Sequence, residues 1–294
     1  MIKLQLPQKE IAGVSLNNHM LLAAGVLGTT ASSLNRMLEN GAGGVVTKSI
    51  GPVPIPGHHG PALLPVDGGL MNAMGLPNPS EKFPEEIAPL AGKPVVVSIF
   101  GGTPEEFGKV ASWFPDAEAF ELNLSCPHAE GYGASIGVNP RVVQECTEIV
   151  KAYGKPVWVK LTPNVTDIKV IGRAAEEGGA DAIVAINTVK AMRISTELRR
   201  PILGNKFGGL SGKAVFPIAV RTVYDLYEAV DIPIIGCGGI DCADNVLEMM
   251  MAGASAVEIG SAVYDNFNVF SDIEAELYAE DGIPAEEIVG CAHD

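Results

Sequence analysis

Positive charge is what this 294-residue sequence has too little of: 20 Lys and Arg stand against 35 Asp and Glu, for a net charge of -15. Nucleic acid and anionic lipid surfaces recruit basic patches, so this balance argues against both as partners. Aromatics are scarce at 6% while Gly reaches 34 residues, a mixture that suits tight βα turns better than a β-sandwich. Long apolar runs are missing as well. No stretch approaches the ~20 apolar residues of a membrane span, and the opening "MIKLQLPQKEIAGVSLNN" has no apolar signal core. The five cysteines, Cys126, Cys146, Cys237, Cys242 and Cys291, are odd in number and follow no framework spacing. Reduced thiols and a cytoplasmic location are therefore expected. "CGGIDC" brings two cysteines close without the further Cys/His pairs of a zinc site, and no metal is expected.

What the chain does contain is alternation of short apolar runs with amphipathic stretches. The runs are "MLLAAG", "GVVTKS", "PVVVSIF", "AFELNLS", "PVWVKLT", "AIVAINT", "PIIGCGG" and "AVEIGSA", rich in Val and Ile as strands buried on both faces are. Eight βα units in one chain, with no shift in composition along it, predict an α/β fold, a TIM (β/α)8 barrel, as a single domain over residues 1–294. A doubly wound open sheet is the other architecture; no G-x-G-x-x-G follows the first strand. "IKLQL" and "IAGVSL" predict an N-terminal β-hairpin ahead of the barrel, and Asp241 is the expected cap of the seventh helix. The C-terminal "AELYAEDGIPAEEIVGCAHD" reads as a solvated helix and tail. Two connections, after strands 2 and 6, are too long to be turns, and such loops are usually lids or binding loops.

Active sites of this fold lie at the C-terminal ends of the strands, where this sequence places polar residues: Lys48, Asn123, Lys160 and the pair Asn187 and Thr188. Taken singly, a lysine there can reach solvent and an asparagine can serve a turn. Together they offer fixed positive charge and amide groups suited to a planar, anionic heterocycle. Gly238 and Gly239 after strand 7, and Gly260 and Ser261 after strand 8, offer main-chain N–H groups where barrels often hold phosphate. Cys126 falls in the loop after strand 4. A cysteine is often a small core residue, but at this mouth, near lysines, a thiol can serve as general base. Cys146 and Cys237 read as core residues, and His58 and His59 as part of a lid or surface turn.

Eight ordered motifs give the sequence a resemblance to the catalytic, flavin-binding chains of the dihydroorotate dehydrogenase family: "TKSI" (47–50), "NAMGLPN" (72–78), "ELNLSCPH" (121–128), "VKLTPNVTDI" (159–168), "INTVKAMRI" (186–194), "GGLSG" (208–212), "GCGGI" (236–240) and "IGSA" (259–262). It is most similar to the two-subunit, NAD-linked class (class 1B), whose base is cysteine; the quinone-using class uses serine and carries an N-terminal helical extension not seen here. The resemblance implies oxidation of dihydroorotate to orotate in pyrimidine biosynthesis, with one FMN per chain. Cys126 would take a proton from one ring carbon while hydride passes from its neighbour to the flavin. Lys48, Asn72, Ala73, Met74, Gly75, Leu76, Asn123, Asn187 and Thr188 would bind substrate. Ala24, Lys48, Ser49, Ser98, Asn123, Lys160, Ile186, Gly212, Gly238, Gly239, Gly260 and Ser261 would hold the cofactor. An electron-transfer subunit carrying FAD and a 2Fe-2S cluster, and a homodimer within a heterotetramer, are implied in the same way.

Three positions depart from the usual pattern. Ala24 stands where a serine often touches flavin, Ser98 where asparagine is frequent, and His128 where many relatives have a further substrate-binding asparagine. "LNLSCPH" and "LTPNVTDI" also resemble the pyrimidine-reducing domain of dihydropyrimidine dehydrogenase, which acts on uracil or thymine. A barrel that binds a phosphorylated metabolite without redox chemistry is a third alternative.

Overall fold

Eight short strands close on themselves. In the computed structural model, which describes residues 2–5, 8–124 and 136–294, these are β1 (Met20–Leu22), β2 (Gly44–Val46), β3 (Val95–Ile99), β4 (Ala119–Asn123), β5 (Val157–Leu161), β6 (Ala182–Ala185), β7 (Ile234–Cys237) and β8 (Ala254–Ile259). Each pairs in parallel with the next, and β8 with β1. The fold is a TIM barrel, and every strand comes from one of the eight expected runs.

The period of two along each strand decides what turns inward. Phe120, Leu122, Val159, Leu161, Val257 and Ile259 pack outward with the helices. Ala119, Trp158, Val184, Ile235 and Ala256 fill the barrel interior. By the same alternation Ser98, Glu121, Lys160 and Glu258 also face inside, where all four are buried. The surrounding helices are α1 (Ala31–Glu39), α2 (Phe83–Ile87), α3 (Pro104–Ala111), α4 (Pro140–Lys151), α5 (Ile168–Glu177), α6 (Phe216–Tyr227), α7 (Ala243–Met251), α8 (Ala262–Asp265) and α9 (Val269–Leu277). Side chains of Thr30, Thr103, Asn139 and Asp167 accept from main-chain N–H groups of the first turns of α1, α3, α4 and α5. Each such cap contributes about 1 kcal/mol.

Three expectations are corrected. The hairpin pairs Lys9–Ile11 with Val14–Leu16, whereas Leu4–Gln5 runs parallel to Ile283–Pro284. Ala12 (φ 48) and Gly13 (φ 80) supply the two positive φ values of a tight hairpin turn. Ile11, Val14 and Leu16 then pack against the barrel interior, and Trp158 Nε1 donates to the Ala12 carbonyl at 3.1 Å, so the hairpin plugs the N-terminal end. The C-terminal stretch is not a free tail, because Leu277, Ala285 and Ile288 are buried in the main core. At α7 the N-cap residue is Cys242; the Asp241 carboxylate is instead drawn to Lys213 Nζ at 2.7 Å.

The two long connections meet. Leu63–Val66 and Gly69–Asn72, after β2, join Gly208–Ser211 and Val189–Ala191, after β6, in one four-stranded antiparallel sheet at the C-terminal side of the barrel. Among the described residues no helix is long and apolar enough to cross a membrane, and no group of three His, Cys, Asp or Glu could hold a metal.

Candidate active site

A cavity of about 240 Å³ lies between the C-terminal strand ends and that sheet. β2 runs on into Lys48 and Ser49, both buried. The loop after β2 supplies Asn72, Ala73, Met74, Gly75 and Leu76; β4 ends in Asn123; and Ile186, Asn187 and Thr188 follow β6. Lys160, from within β5, reaches the cavity from below. Ala24, Gly238, Gly239, Gly260 and Ser261 form the wall on the β7, β8 and β1 side.

Hydrogen bonds fix how the amides are presented. Asn123 Nδ2 donates to Ser49 Oγ at 3.0 Å, leaving its Oδ1 to accept from Asn187 Nδ2 at 3.3 Å. Asn187 Oδ1 in turn accepts from the Thr188 N–H at 2.7 Å. Asn164, beneath the same loop, donates to the Thr188 carbonyl at 3.1 Å and accepts from the Lys190 N–H at 3.0 Å. His58 belongs to this scaffold too: its Nδ1 lies 3.1 Å from the Ala73 carbonyl, and its N–H donates to Met74.

Two expected residues do not line the cavity. Ser98 is fully buried inside the barrel, its hydroxyl 2.9 Å from Ser49 Oγ and 3.1 Å from Glu121 Oε1. Gly212 sits one layer out, where its carbonyl would be 2.8 Å from a Cβ placed on Gly239. Cys126 and His128 lie outside the described residues. Sequence reading missed Asn164, Lys190 and Tyr264 on the lining, although the first two fall inside the quoted motifs. It also missed two acids below the floor, Glu121 and Glu258, which hold Lys160. Burial opposes the Lys160 charge, but Cys237, Glu121 and Glu258 around it raise its pKa well above the ordinary lysine value. Cys237 is more than core filling, since it both lines the cavity and lies in this charged group; burial pushes its thiol up to about 12. Cys146, Cys237, Cys242 and Cys291 are all free.

Bare backbone makes room for a flat ring system. A Cβ on Gly25 would have only Lys48 Nζ within reach, at 4.0 Å, and one on Gly260 only the Ala23 methyl at 3.5 Å, so both glycines keep space open at the cavity. Cationic Lys48 and Lys160 on the same cavity suit a ligand that carries negative charge.

Comparison with known proteins gives one family. The dihydroorotate dehydrogenase family model matches residues 6–280. A protein of Methanocella arvoryzae, "Dihydroorotate dehydrogenase B (NAD(+)), catalytic subunit", is 56% identical, with 96% of each chain covered. Proteins with the same name from Methanosarcina acetivorans and Pyrococcus furiosus are 53% and 50% identical, over 98% and 96% of this chain and 96% and 97% of theirs. The crystal structure of DHODH in complex with ferulenol from Eimeria tenella superposes with a TM-score of 0.81 at 19% identity, over 97% of this chain and 88% of that one, a likeness of fold.

Proposed function

The chain belongs to the dihydroorotate dehydrogenase family, and on that premise we propose that it oxidises dihydroorotate to orotate for pyrimidine synthesis, as the catalytic subunit of a two-subunit, NAD-linked enzyme. It is an oxidoreductase that works with flavin. The observation that carries the reading is one cavity at which Lys48, Asn72, Asn123, Asn187 and Thr188 converge, with the Asn123 amide orientation fixed from both sides.

Lys48 offers its ammonium to the substrate carboxylate, while Asn72, Asn123, Asn187 and Thr188 present donors and acceptors to the pyrimidine edge. Lys160 adds positive charge from below, and main-chain N–H groups at Gly238, Gly239, Gly260 and Ser261 suit the phosphate of FMN, our choice of flavin. Bound flavin supplies the acceptor for the hydride lost from one ring carbon of the substrate. The neighbouring carbon gives up a proton, and a ring double bond forms between them. We assign the proton to the Cys126 sulfur, on the strength of "ELNLSCPH" running directly on from β4. The thiolate is the form that this step requires.

The relatives' shared name supports a second subunit, which we take to carry FAD and a 2Fe-2S cluster and to pass electrons to NAD. We further take residues 1–294 to act as one flavin-binding barrel, paired as a homodimer within a heterotetramer in the cytoplasm. Cofactor released from purified protein should have the mass of FMN, and orotate should form from dihydroorotate. Turnover of uracil with reduced nicotinamide instead would contradict the substrate; the curated relatives, named for dihydroorotate, speak against that outcome.

A further inference from the structure

Three charged side chains meet inside the barrel below the cavity. Lys160 Nζ donates to Glu258 Oε2 at 2.5 Å and lies 3.5 Å from Glu121 Oε2, and all three side chains are almost wholly buried. Two acids and one base leave one negative charge in excess, in a setting where unpaired charge is strongly unfavourable. Glu258 Oε1 is buried with no hydrogen-bond partner among the described residues. A carboxylate oxygen without a donor has nothing to stabilise its charge, which favours the protonated form of the Glu258 carboxyl. Burial first, then the charge of Glu121, push the Glu258 carboxyl up to about 8 against the opposing pull of Lys160.

Among the described residues the surroundings offer little else that titrates. On β7, Cys237 keeps its proton, with its thiol pushed up to about 12. On β1, the register partner of Glu258 is the apolar Leu21. Among the described residues the other charged neighbours are Glu121 and Lys160 themselves, from β4 and β5. The cluster also connects upward: Glu121 Oε1 accepts from Ser98 Oγ at 3.1 Å, Ser98 Oγ lies 2.9 Å from Ser49 Oγ, and Ser49 Oγ accepts from Asn123 Nδ2 at 3.0 Å.

We propose that Glu258 is a positioning residue for Lys160 and the site of a redox-linked proton: with Glu121 it holds the Lys160 ammonium against the cavity, and it takes up a proton when negative charge is added to the cofactor bound above. The inference rests on the flavin reading of the cavity. A hydride brings two electrons and one proton. The second proton comes from solvent, bonds to a Glu258 carboxylate oxygen, and returns to solvent when the electrons leave. Below about pH 8 Glu258 already holds its proton in both states, so the coupling is visible above that pH.

The test is the midpoint potential of the FMN-loaded protein between about pH 6 and pH 10. The slope should correspond to one proton per electron pair below about pH 8 and steepen to two above it. Glu258→Gln should keep the one-proton slope throughout. A wild-type slope of one proton over the whole range overturns the proposal, with or without a folded variant, and so does a Glu258→Gln protein that keeps the steep limb. Failure to take up any flavin contradicts the reading of the cavity instead. Infrared titration of the flavin-free protein then decides: a protonated-carboxyl band that disappears near pH 8 and is missing in Glu258→Gln is required, and its absence overturns the assignment.

Discussion

Asn72 stands opposite Gly209 in the antiparallel pairing that joins the two long loops. The approach is close: a Cβ on Gly209 would lie 2.0 Å from Thr188 Oγ1. The register of this sheet therefore sets the spacing between Asn72, on one loop, and Thr188, on the other. Gly209→Val should push Thr188 out of place, at a cost of about 1–3 kcal/mol. We expect KM for dihydroorotate to rise ~10-fold, each tenfold step being about 1.4 kcal/mol, while flavin content holds. An unchanged KM would remove Thr188 from the substrate site.

Cys126→Ala should leave flavin binding intact and slow flavin reduction by dihydroorotate by ~10²–10⁴-fold, the usual contribution of a general base. Stopped-flow absorbance under anaerobic conditions measures it. A near-normal rate would assign the proton to another group.

Lys160→Met leaves Glu121 and Glu258 buried without the cation they share. Removing one partner of a buried ionic group costs about 3–5 kcal/mol. Without that cation the charges of two adjacent buried carboxylates repel each other and lack compensation, so the penalty is largest when both are charged and shrinks as pH falls. Thermal unfolding should show the variant weakest at alkaline pH and closer to wild type in mild acid. A loss that does not vary with pH contradicts this electrostatic origin.

His19 is buried at the N-terminal end of β1, and its Nδ1 has no partner among the described residues. Burial, aided by the charge of Lys9 and opposed by Glu286, brings its pKa down from 6.5 to about 4. The folded state therefore binds this proton less well than the unfolded chain does. The stabilisation is complete above pH 6.5 and is lost as pH falls towards about 4, by on the order of 3 kcal/mol. His19→Gln should flatten unfolding free energy against pH in this window; a wild-type profile already flat there contradicts a buried neutral imidazole.

The barrel was legible because its strands are buried on both faces and read as unbroken apolar runs, and because Lys48, Asn123 and Asn187 interrupt those runs at their ends. Glu121 and Glu258 were not, although "AFELN" and "AVEIG" each set one acid inside an apolar strand. Their meaning lies in Lys160, 39 and 98 residues away, and only closure of the barrel brings the three together. The N-terminal strand misled for a similar reason. Alternation in "IKLQL" marks a strand but not its partner, and the nearest candidate gave way to Ile283–Pro284 at the far end of the chain. At Asp241 the local capping pattern lost to an ion pair with Lys213.

The most direct measurement is the visible spectrum of the purified protein before and after anaerobic addition of dihydroorotate. Flavin absorbance should be present and should bleach on addition, with orotate formed in equal amount. A colourless protein that takes up no flavin, or a yellow one that dihydroorotate leaves unbleached, would contradict the assignment.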